Sequence, residues 1–233
     1  MCPSAIPNPA LGLKMYPSHF RATIQLRLGL PVLTSRHRCD CQTTPDIFGT
    51  HSLCCTKGPE RTARHNSIRN VIHQTCIAAG LSASLEPPHL LSNSEHRPGD
   101  IFIRDWSCGK SIAMDVTVSC TLQQSNLDKA AAHDRFHAQD ADTRKRRLLA
   151  KVYDGSGFIF QPMSFESTGG MTSATEETLK TIATFWGARQ GIERHTAIPW
   201  LFQKVSMALQ RGNADMIARH LSLPFHQIYR WIE

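Results

Sequence analysis

The chain has 233 residues, 41% of them hydrophobic, which is enough apolar material for one substantial core and too much for a disordered protein. Lys and Arg exceed Asp and Glu by 26 to 19, and the sequence pI near 9.1 favours an anionic partner such as nucleic acid. The sequence has no apolar run of membrane-spanning length and no signal-peptide pattern, so we expect a nuclear or otherwise intracellular protein without a membrane partner.

In chain order, we expect a flexible lead-in or fragment of a preceding domain over residues 1–33 and a zinc-knuckle segment over residues 34–58. Residues 59–172 are expected to form the main domain, and residues 173–233 a C-terminal helical extension. The predicted architecture is therefore α/β, with a metal-binding loop before the core and helices after it.

The main domain is predicted to begin with a helix that Pro59 and Glu60 open and Gly80 closes, with Ile68 and Ile72 on its apolar face. Alternating apolar and polar residues then predict strands over residues 82–86, 100–106, 111–120 and 158–165. Further helices are predicted over residues 125–153, 174–190 and 198–220. The order within the domain is helix, three strands, helix, strand.

The eight cysteines are expected to be reduced thiols or metal ligands, because an intracellular chain of this length does not need disulfides to fold. Four of them lie close together beside a histidine, and the others are scattered and expected to be ordinary thiols. The clustered cysteines are Cys39, Cys41, Cys54 and Cys55. The scattered ones are Cys2, Cys76, Cys108 and Cys120.

The cluster has the spacing C-x-C-x9-H-x3-C, with three thiolates and one imidazole from Cys39, Cys41, His51 and Cys55. This donor set suits tetrahedral zinc, and we expect a structural zinc that holds the loop against the next helix. Two alternatives stay open: Cys54 could replace Cys55 or the downstream His65 could serve as a ligand, or the cysteines could simply face solvent in a loop.

Two aspartates are predicted to meet across the β-hairpin formed by the second and third strands. Asp100 follows Pro98 and Gly99 at the start of one strand, and Asp115 lies inside the next. Asp115 and Thr117 share one strand face because side chains alternate. A pair of carboxylates is typical of a Mg²⁺ or Mn²⁺ site. Asp100 alone could be a turn residue, but a carboxylate within an apolar strand needs a cation or hydrogen-bond donors.

These motifs, in their order along the chain, resemble the PD-(D/E)XK, or restriction-endonuclease-like, superfamily. More narrowly, they are similar to the CCHC zinc knuckle and endonuclease region at the C-terminus of site-specific non-LTR retrotransposon reverse transcriptase proteins. The resemblance covers about residues 25–210. It is carried by Leu26–Pro31, the four zinc candidates, Arg64-His65-Asn66, Leu85-Glu86-Pro87, Arg97-Pro98-Gly99-Asp100, Asp115, Lys145-Arg146-Arg147 and Ser167-Thr168-Gly169-Gly170-Met171.

The resemblance implies a restriction-endonuclease-like core that nicks DNA, after which the freed 3′ hydroxyl primes reverse transcription of the element's RNA. It assigns Asp100 and Asp115 to the catalytic metal. The superfamily pattern expects a lysine two residues after the second acid, and this sequence has Thr117 there. Lys145 on the following helix is the expected replacement, because related nucleases relocate the lysine to that position.

A basic run on the predicted helix over residues 125–153, with Arg144, Arg146 and Arg147, is expected to contact DNA phosphates. Arg64 and Arg69 on the first helix of the main domain are expected to do the same. The alternative for the run is a solvated helix face. His65 and Arg69 could also serve to pin the helix to the zinc loop, and Glu86 is either a third carboxylate near the metal or a strand end.

The sequence therefore predicts a metal-dependent, retroelement-derived DNA endonuclease with a structural zinc, DNA as its partner, and element RNA as a second partner. One rival is a catalytically inactive zinc-containing relic of the same fold that binds nucleic acid, which Thr117 would explain. A third reading is a structural or regulatory zinc protein without any nucleic-acid role, which predicts evenly spread positive charge.

Overall fold

The computed structural model describes residue 9 and residues 12–33, 38–88, 99–123 and 127–220. The sequence predictions for Arg97 and Pro98 lie outside this range. The helices are α1 (Pro17–Arg27), α2 (Thr50–Cys54), α3 (Glu60–Ala78), α4 (Leu127–Ala132), α5 (Phe136–Tyr153), α6 (Ser173–Gln190) and α7 (Arg194–Ala218). The strands are β1 (Ala83–Leu85), β2 (Ile101–Ser107), β3 (Lys110–Ser119) and β4 (Ile159–Glu166).

The α/β class is confirmed, with helices packed on a four-stranded mixed sheet. The strand order is β1-β2-β3-β4, with β1, β2 and β3 antiparallel and β4 parallel to β3. The parallel pair requires a crossover connection, which α4 and α5 provide. The single long helix predicted over residues 125–153 is wrong, because the chain breaks between α4 and α5 at Arg135, whose φ of 58° is left-handed.

One face of the sheet carries the main hydrophobic core. Met114 and Val116 of β3 lie in it, and residues of α3, α6 and α7 cover them. The covering residues include Ile68, Ile72, Leu179, Ile182, Leu201 and Val205. Full burial of each such side chain stabilises the fold by about 1.5–3 kcal/mol. The opposite face of β3 and β4 is in contact with α5, so the polar side chains of β3 lie between the sheet and this helix.

The two ends of the described chain belong to the same packed unit. α6 and α7, predicted as an extension, contribute to the main core, and α7 also contacts α1, α2 and α3. The lead-in predicted to be flexible contains α1, in which His19 is buried and lies 3.2 Å from Asp215 of α7. The prediction missed α1 because the helix has little periodicity of its own and is stabilised by packing against α7.

Candidate functional site

The β2–β3 hairpin brings Asp100 and Asp115 to the same place. The ladder pairs Ile101 with Met114, so Asp100, one residue before the pair, and Asp115, one residue after it, lie opposite each other. Gly99 makes this approach possible, because a Cβ there would come 2.7 Å from the carbonyl oxygen of Met114. The side chains of the two aspartates are 15% and 19% exposed, so both carboxylates are shielded from water but still reachable.

Two donors hold the Asp100 carboxylate. The backbone N–H of Val116 donates to its Oδ2 at 2.6 Å, and Nε2 of His65 on α3 lies 3.0 Å from the same oxygen. The hydrogen bond to Asp100 and the charges of Asp100 and Asp115 raise the pKa of His65, against the opposing effect of burial. The charged imidazolium is thus stabilised beside two carboxylates. His65, an alternative zinc ligand in the sequence, belongs to this acidic site instead.

Lys145 of α5 donates a hydrogen bond from its Nζ to the Asp115 carboxylate. Burial is the largest cause of a raised pKa of Asp115, and the neighbouring Asp100 charge adds to it, while Lys145 and His65 act in the opposite direction. Burial and the charge of Asp100 make ionisation of Asp115 costly, and a cation beside the carboxylate lowers this cost. The pair is chemically suited to a hard divalent cation.

Tyr153 is a site residue that the sequence reasoning missed. It ends α5 about two turns after Lys145, and its ring stacks on Phe160 at 4.5 Å between centroids. Burial raises its pKa most, and the charges of Asp115 and Asp100 raise it further. The charges of both acids therefore act on the phenol and favour its protonated form. Its position at the end of the same helix as Lys145 was the available signal.

Thr117 occupies the position where the superfamily pattern expects a lysine, two residues after Asp115 on β3. It pairs with Ser164 of β4. The only ammonium in contact with Asp115 among the described residues is that of Lys145, which comes from the helix over this face of the sheet. The structure thus brings Lys145, which the sequence analysis singled out, to Asp115.

The remaining predicted phosphate contacts differ in their surroundings. Arg144 and Arg147 are exposed, and no hydrogen bond or ion pair joins either of them to another residue in the described ranges. Arg146 forms an ion pair with Asp142 at 2.7 Å and reaches the Phe160 carbonyl on β4. Arg144 and Arg147 are therefore the free cations of the run.

The two predicted phosphate contacts on α3 have protein partners. Arg69 forms an ion pair with Glu86, whose backbone N–H donates to the Asp100 carbonyl at 3.1 Å. This pair ties α3 to the end of β1 beside the acids, so both side chains are engaged in a contact within the protein. Arg64 is only 2% exposed, and its Nη1 donates to Asn213 at 2.7 Å. Arg64 is therefore held inside the protein in this conformation, with one guanidinium nitrogen bonded to Asn213.

A second cluster lies where the N-terminal loop meets the end of α7. The possible ligand atoms of Cys39, His51, Cys55 and His220 all lie within 4.8 Å of one another, and these residues could hold a metal ion. Nε2 of His220 lies 3.2 Å from Sγ of Cys39, and the sulfur atoms of Cys39 and Cys55 lie 3.6 Å apart. Two thiols and two imidazoles are compatible with a structural zinc.

His220 is the ligand that the sequence analysis missed, because it lies 181 residues after Cys39. Cys41, predicted in its place, is not in the group, although its Sγ lies 3.4 Å from Nε2 of His51. Hydrogen bonds from Thr43 are the largest cause of the lowered pKa of Cys41, about 6, whereas burial raises that of Cys39 to about 11. The thiolate form of Cys41 is thus favoured at the edge of the cluster.

The loop is shaped for this cluster by Asp46. Its carboxylate accepts the backbone N–H groups of Phe48, Thr50 and His51 at 2.9, 3.1 and 2.8 Å. These contacts satisfy the otherwise unpaired donors at the start of α2. They hold His51, on the first turn, beside the cysteines.

Cys54 and Cys120 form a disulfide. The expectation that both are reduced is wrong, and Cys54 is thereby removed as an alternative zinc ligand. The bond joins α2 to the residue that follows β3, across a sequence separation of 66. It therefore ties the loop of the Cys/His cluster to the strand that carries Asp115, a long-range pairing that spacing along the chain could not predict.

Compared with known proteins, the chain matches no family model, and no curated protein sequence is significantly similar to it. Every helix in the described ranges is too short or too polar to cross a membrane. The geometry of the site is therefore the basis for its function. Two carboxylates are in contact with a lysine and an imidazole, and two unpaired arginines lie on the same helix as the lysine.

Proposed function

We propose that the protein is a metal-dependent endonuclease of restriction-endonuclease-like fold that nicks DNA and derives from a retroelement. The observation that carries the proposal is the contact of Lys145 with Asp115, directly opposite Asp100 in the hairpin. This contact supports the proposal because the superfamily pattern requires an ammonium beside the second acid. The order of elements from α3 to β4 also supports the fold assignment.

Asp100 and Asp115 would hold Mg²⁺ or Mn²⁺, which prefer carboxylate oxygens. When bound, the metal would activate a water for attack on phosphorus and neutralise charge in the transition state. The pocket fits such an ion, because burial and mutual repulsion already make ionisation of Asp115 costly. An added cation would relieve this cost.

The protein's own residues would orient the carboxylates and the DNA and would supply positive charge at the phosphate. His65 and the Val116 N–H fix the carboxylate of Asp100. Lys145 supplies the positive charge that Thr117 cannot, within reach of a phosphate oxygen at Asp115. Arg144 and Arg147 contact backbone phosphates and so hold the DNA over the acids.

The Cys/His cluster would hold a structural zinc that joins the N-terminal loop to the end of α7. Its ligands come from two distant parts of the chain, Cys39–Cys55 and His220. The ion would therefore cross-link segments that lie far apart in the sequence. This role is separate from the chemistry at the acids.

The test is nicking of a supercoiled plasmid in the presence of Mg²⁺ or Mn²⁺. We expect the wild-type protein and Asp128→Ala, an exposed aspartate on α4, to produce open circles, and Asp115→Ala to be inactive. Equal nicking by wild type and Asp115→Ala would show that the activity is a contaminant and would remove the enzyme assignment.

The alternative is a nucleic-acid-binding relic of the same fold, and Thr117 favours it. A relic would bind plasmid with steep salt dependence but leave it supercoiled under every metal condition. In that case we expect Thr117→Lys, which adds an ammonium on the strand face of Asp115, to produce nicking.

A further inference from the structure

A polar cleft of about 320 Å³ lies between the Cys/His loop and the acids. We call it the basic cleft. It is lined by α2, by the start of α3, by the end of β3 and by α5, and it receives three arginines and one carboxylate. The charged residues are Arg61, Arg64, Arg144 and Asp140. The three arginines outnumber the one carboxylate in this lining, so the cleft has excess positive charge.

Two residues that line the cleft have a buried side-chain nitrogen without a partner. Arg64 is 2% exposed and His137 6% exposed, and neither Nε of Arg64 nor Nε2 of His137 has a hydrogen-bond partner among the described residues. Buried polar atoms are nearly always paired, and an unpaired one requires an explanation, such as a bound ion. Here the two atoms belong to residues at one cavity.

The arginines at the cleft repel each other. Burial is the largest cause of the lowered pKa of Arg64, about 10, and the charge of Arg61 lowers it further. Arg61 is exposed and lies one helical turn before Arg64 on α3. Like charges that outnumber the opposite charges beside them are characteristic of a site for an anion, and planar guanidinium groups bind phosphate in two-point contacts.

The position of the cleft relates it to the acids. Thr117 lines the cleft and lies two residues after Asp115 on β3, a distance of about 7 Å along the strand. Arg144 lines it next to Lys145 on α5. One strand of DNA has a phosphate for about every 3.4 Å of axis, so neighbouring phosphates can occupy both places together.

We propose that the basic cleft binds a DNA backbone phosphate one or two nucleotides from the phosphate held at Asp100 and Asp115. This inference rests on the proposed function for the identity of its ligand. Arg61 and Arg144 contact the phosphate, while Arg64 and His137 form the floor of the cleft. A second fixed phosphate sets the register of the DNA over the acids.

The test measures duplex DNA binding by fluorescence anisotropy over a series of salt concentrations, without added Mg²⁺ or Mn²⁺, so that no cleavage contributes. Each phosphate contact adds about 0.9 to the slope of log K against log salt. We expect Arg61→Ala to reduce the slope by about 0.9. The matched control is Arg189→Ala, an exposed arginine beside Gly80 at the other end of α3, which we expect to keep the wild-type slope.

A slope that Arg61→Ala leaves at the wild-type value would overturn the proposal. A second experiment adds inorganic phosphate at constant ionic strength and measures the Tm of the wild type. If phosphate raises the Tm but Arg61→Ala does not change the salt slope of DNA binding, the cleft is a site for a small anion and the DNA assignment is overturned. A slope change with RNA duplex but not with DNA also overturns it.

The failure of this inference and that of the nuclease assignment give different results. A reduced slope in Arg61→Ala together with a plasmid that stays supercoiled supports the cleft and rejects the endonuclease. Metal-dependent nicking with equal slopes supports the endonuclease and rejects the cleft.

Discussion

Lys145 and Asp115 lie 30 residues apart in the chain, on α5 and β3, and the lysine ammonium donates directly to the carboxylate. The contact crosses from the helix to the polar face of the sheet. It supplies from a separate element the charge that Thr117 lacks at the neighbouring position on β3. The nuclease proposal depends on this relationship.

Replacing Lys145 tests its role in cleavage. We expect Lys145→Met to reduce the rate of plasmid nicking by roughly 10²–10³, the usual loss when one charge-stabilising group is removed. Lys151→Met, an exposed cation on the same helix, should retain the rate to within a few-fold at low salt. The measurement is single-turnover nicking at saturating protein. Equal losses in the two variants would mean that helix charge in general, and not the contact with Asp115, supports cleavage.

Stability should depend on pH through His65. Its pKa in the folded protein lies above the ordinary 6.5, so its stabilising contribution is complete below pH 6.5 and is lost as the pH rises through the higher folded value. The free energy of unfolding in urea, measured without added divalent metal, should therefore decrease above pH 6.5. His65→Gln should flatten this decrease, whereas His73→Gln, on the same helix, should not. An unchanged pH profile in His65→Gln would contradict the hydrogen bond with Asp100.

Zinc analysis tests the second cluster. The wild-type protein should contain one zinc per chain, and Cys55→Ser or His220→Ala should lose it. Cys108→Ser, an exposed free cysteine, is the control and should retain it. Chelation should lower Tm, because apparent binding energies of about 10–16 kcal/mol for structural zinc are coupled to folding.

Cys41 distinguishes the two ligand sets. The structure groups His220 with Cys39, His51 and Cys55, so Cys41→Ser should keep one zinc per chain. Zinc loss in Cys41→Ser, with retention in His220→Ala, would instead support the ligand set predicted from the sequence, which has Cys41 in place of His220.

The disulfide between Cys54 and Cys120 should stabilise the fold by about 2–4 kcal/mol, the usual range for a cross-link that closes a long loop. The free energy of unfolding should therefore decrease when a phosphine reductant is added. The double variant Cys54→Ser/Cys120→Ser should already have the lower value and show no further decrease. Thiol titration of the unfolded protein should find two fewer free thiols before reduction than after it; equal counts would contradict the bond.

Local patterns in the sequence were sufficient to predict the helix and the strand that carry residues of the acidic site. The apolar spacing and the closing glycine of α3 predicted Glu60–Ala78 within two residues. Strict alternation in β3 put Met114 and Val116 into the core and Asp115 on the other face. These features depend on the 3.6-residue and 2-residue periods of helix and strand, which are local properties of the chain.

The sequence by itself therefore determined the α/β class, the hairpin that opposes Asp100 to Asp115, and the cysteine-rich loop. Only the tertiary structure decided that His220 joins this loop, that Cys54 pairs with Cys120, that Arg64 is buried against Asn213, and that Lys145 reaches Asp115. The reason is physical: these contacts join residues from 30 to 181 positions apart. Such contacts form only when whole helices and strands pack against one another, and no short-range period along the chain records how they pack.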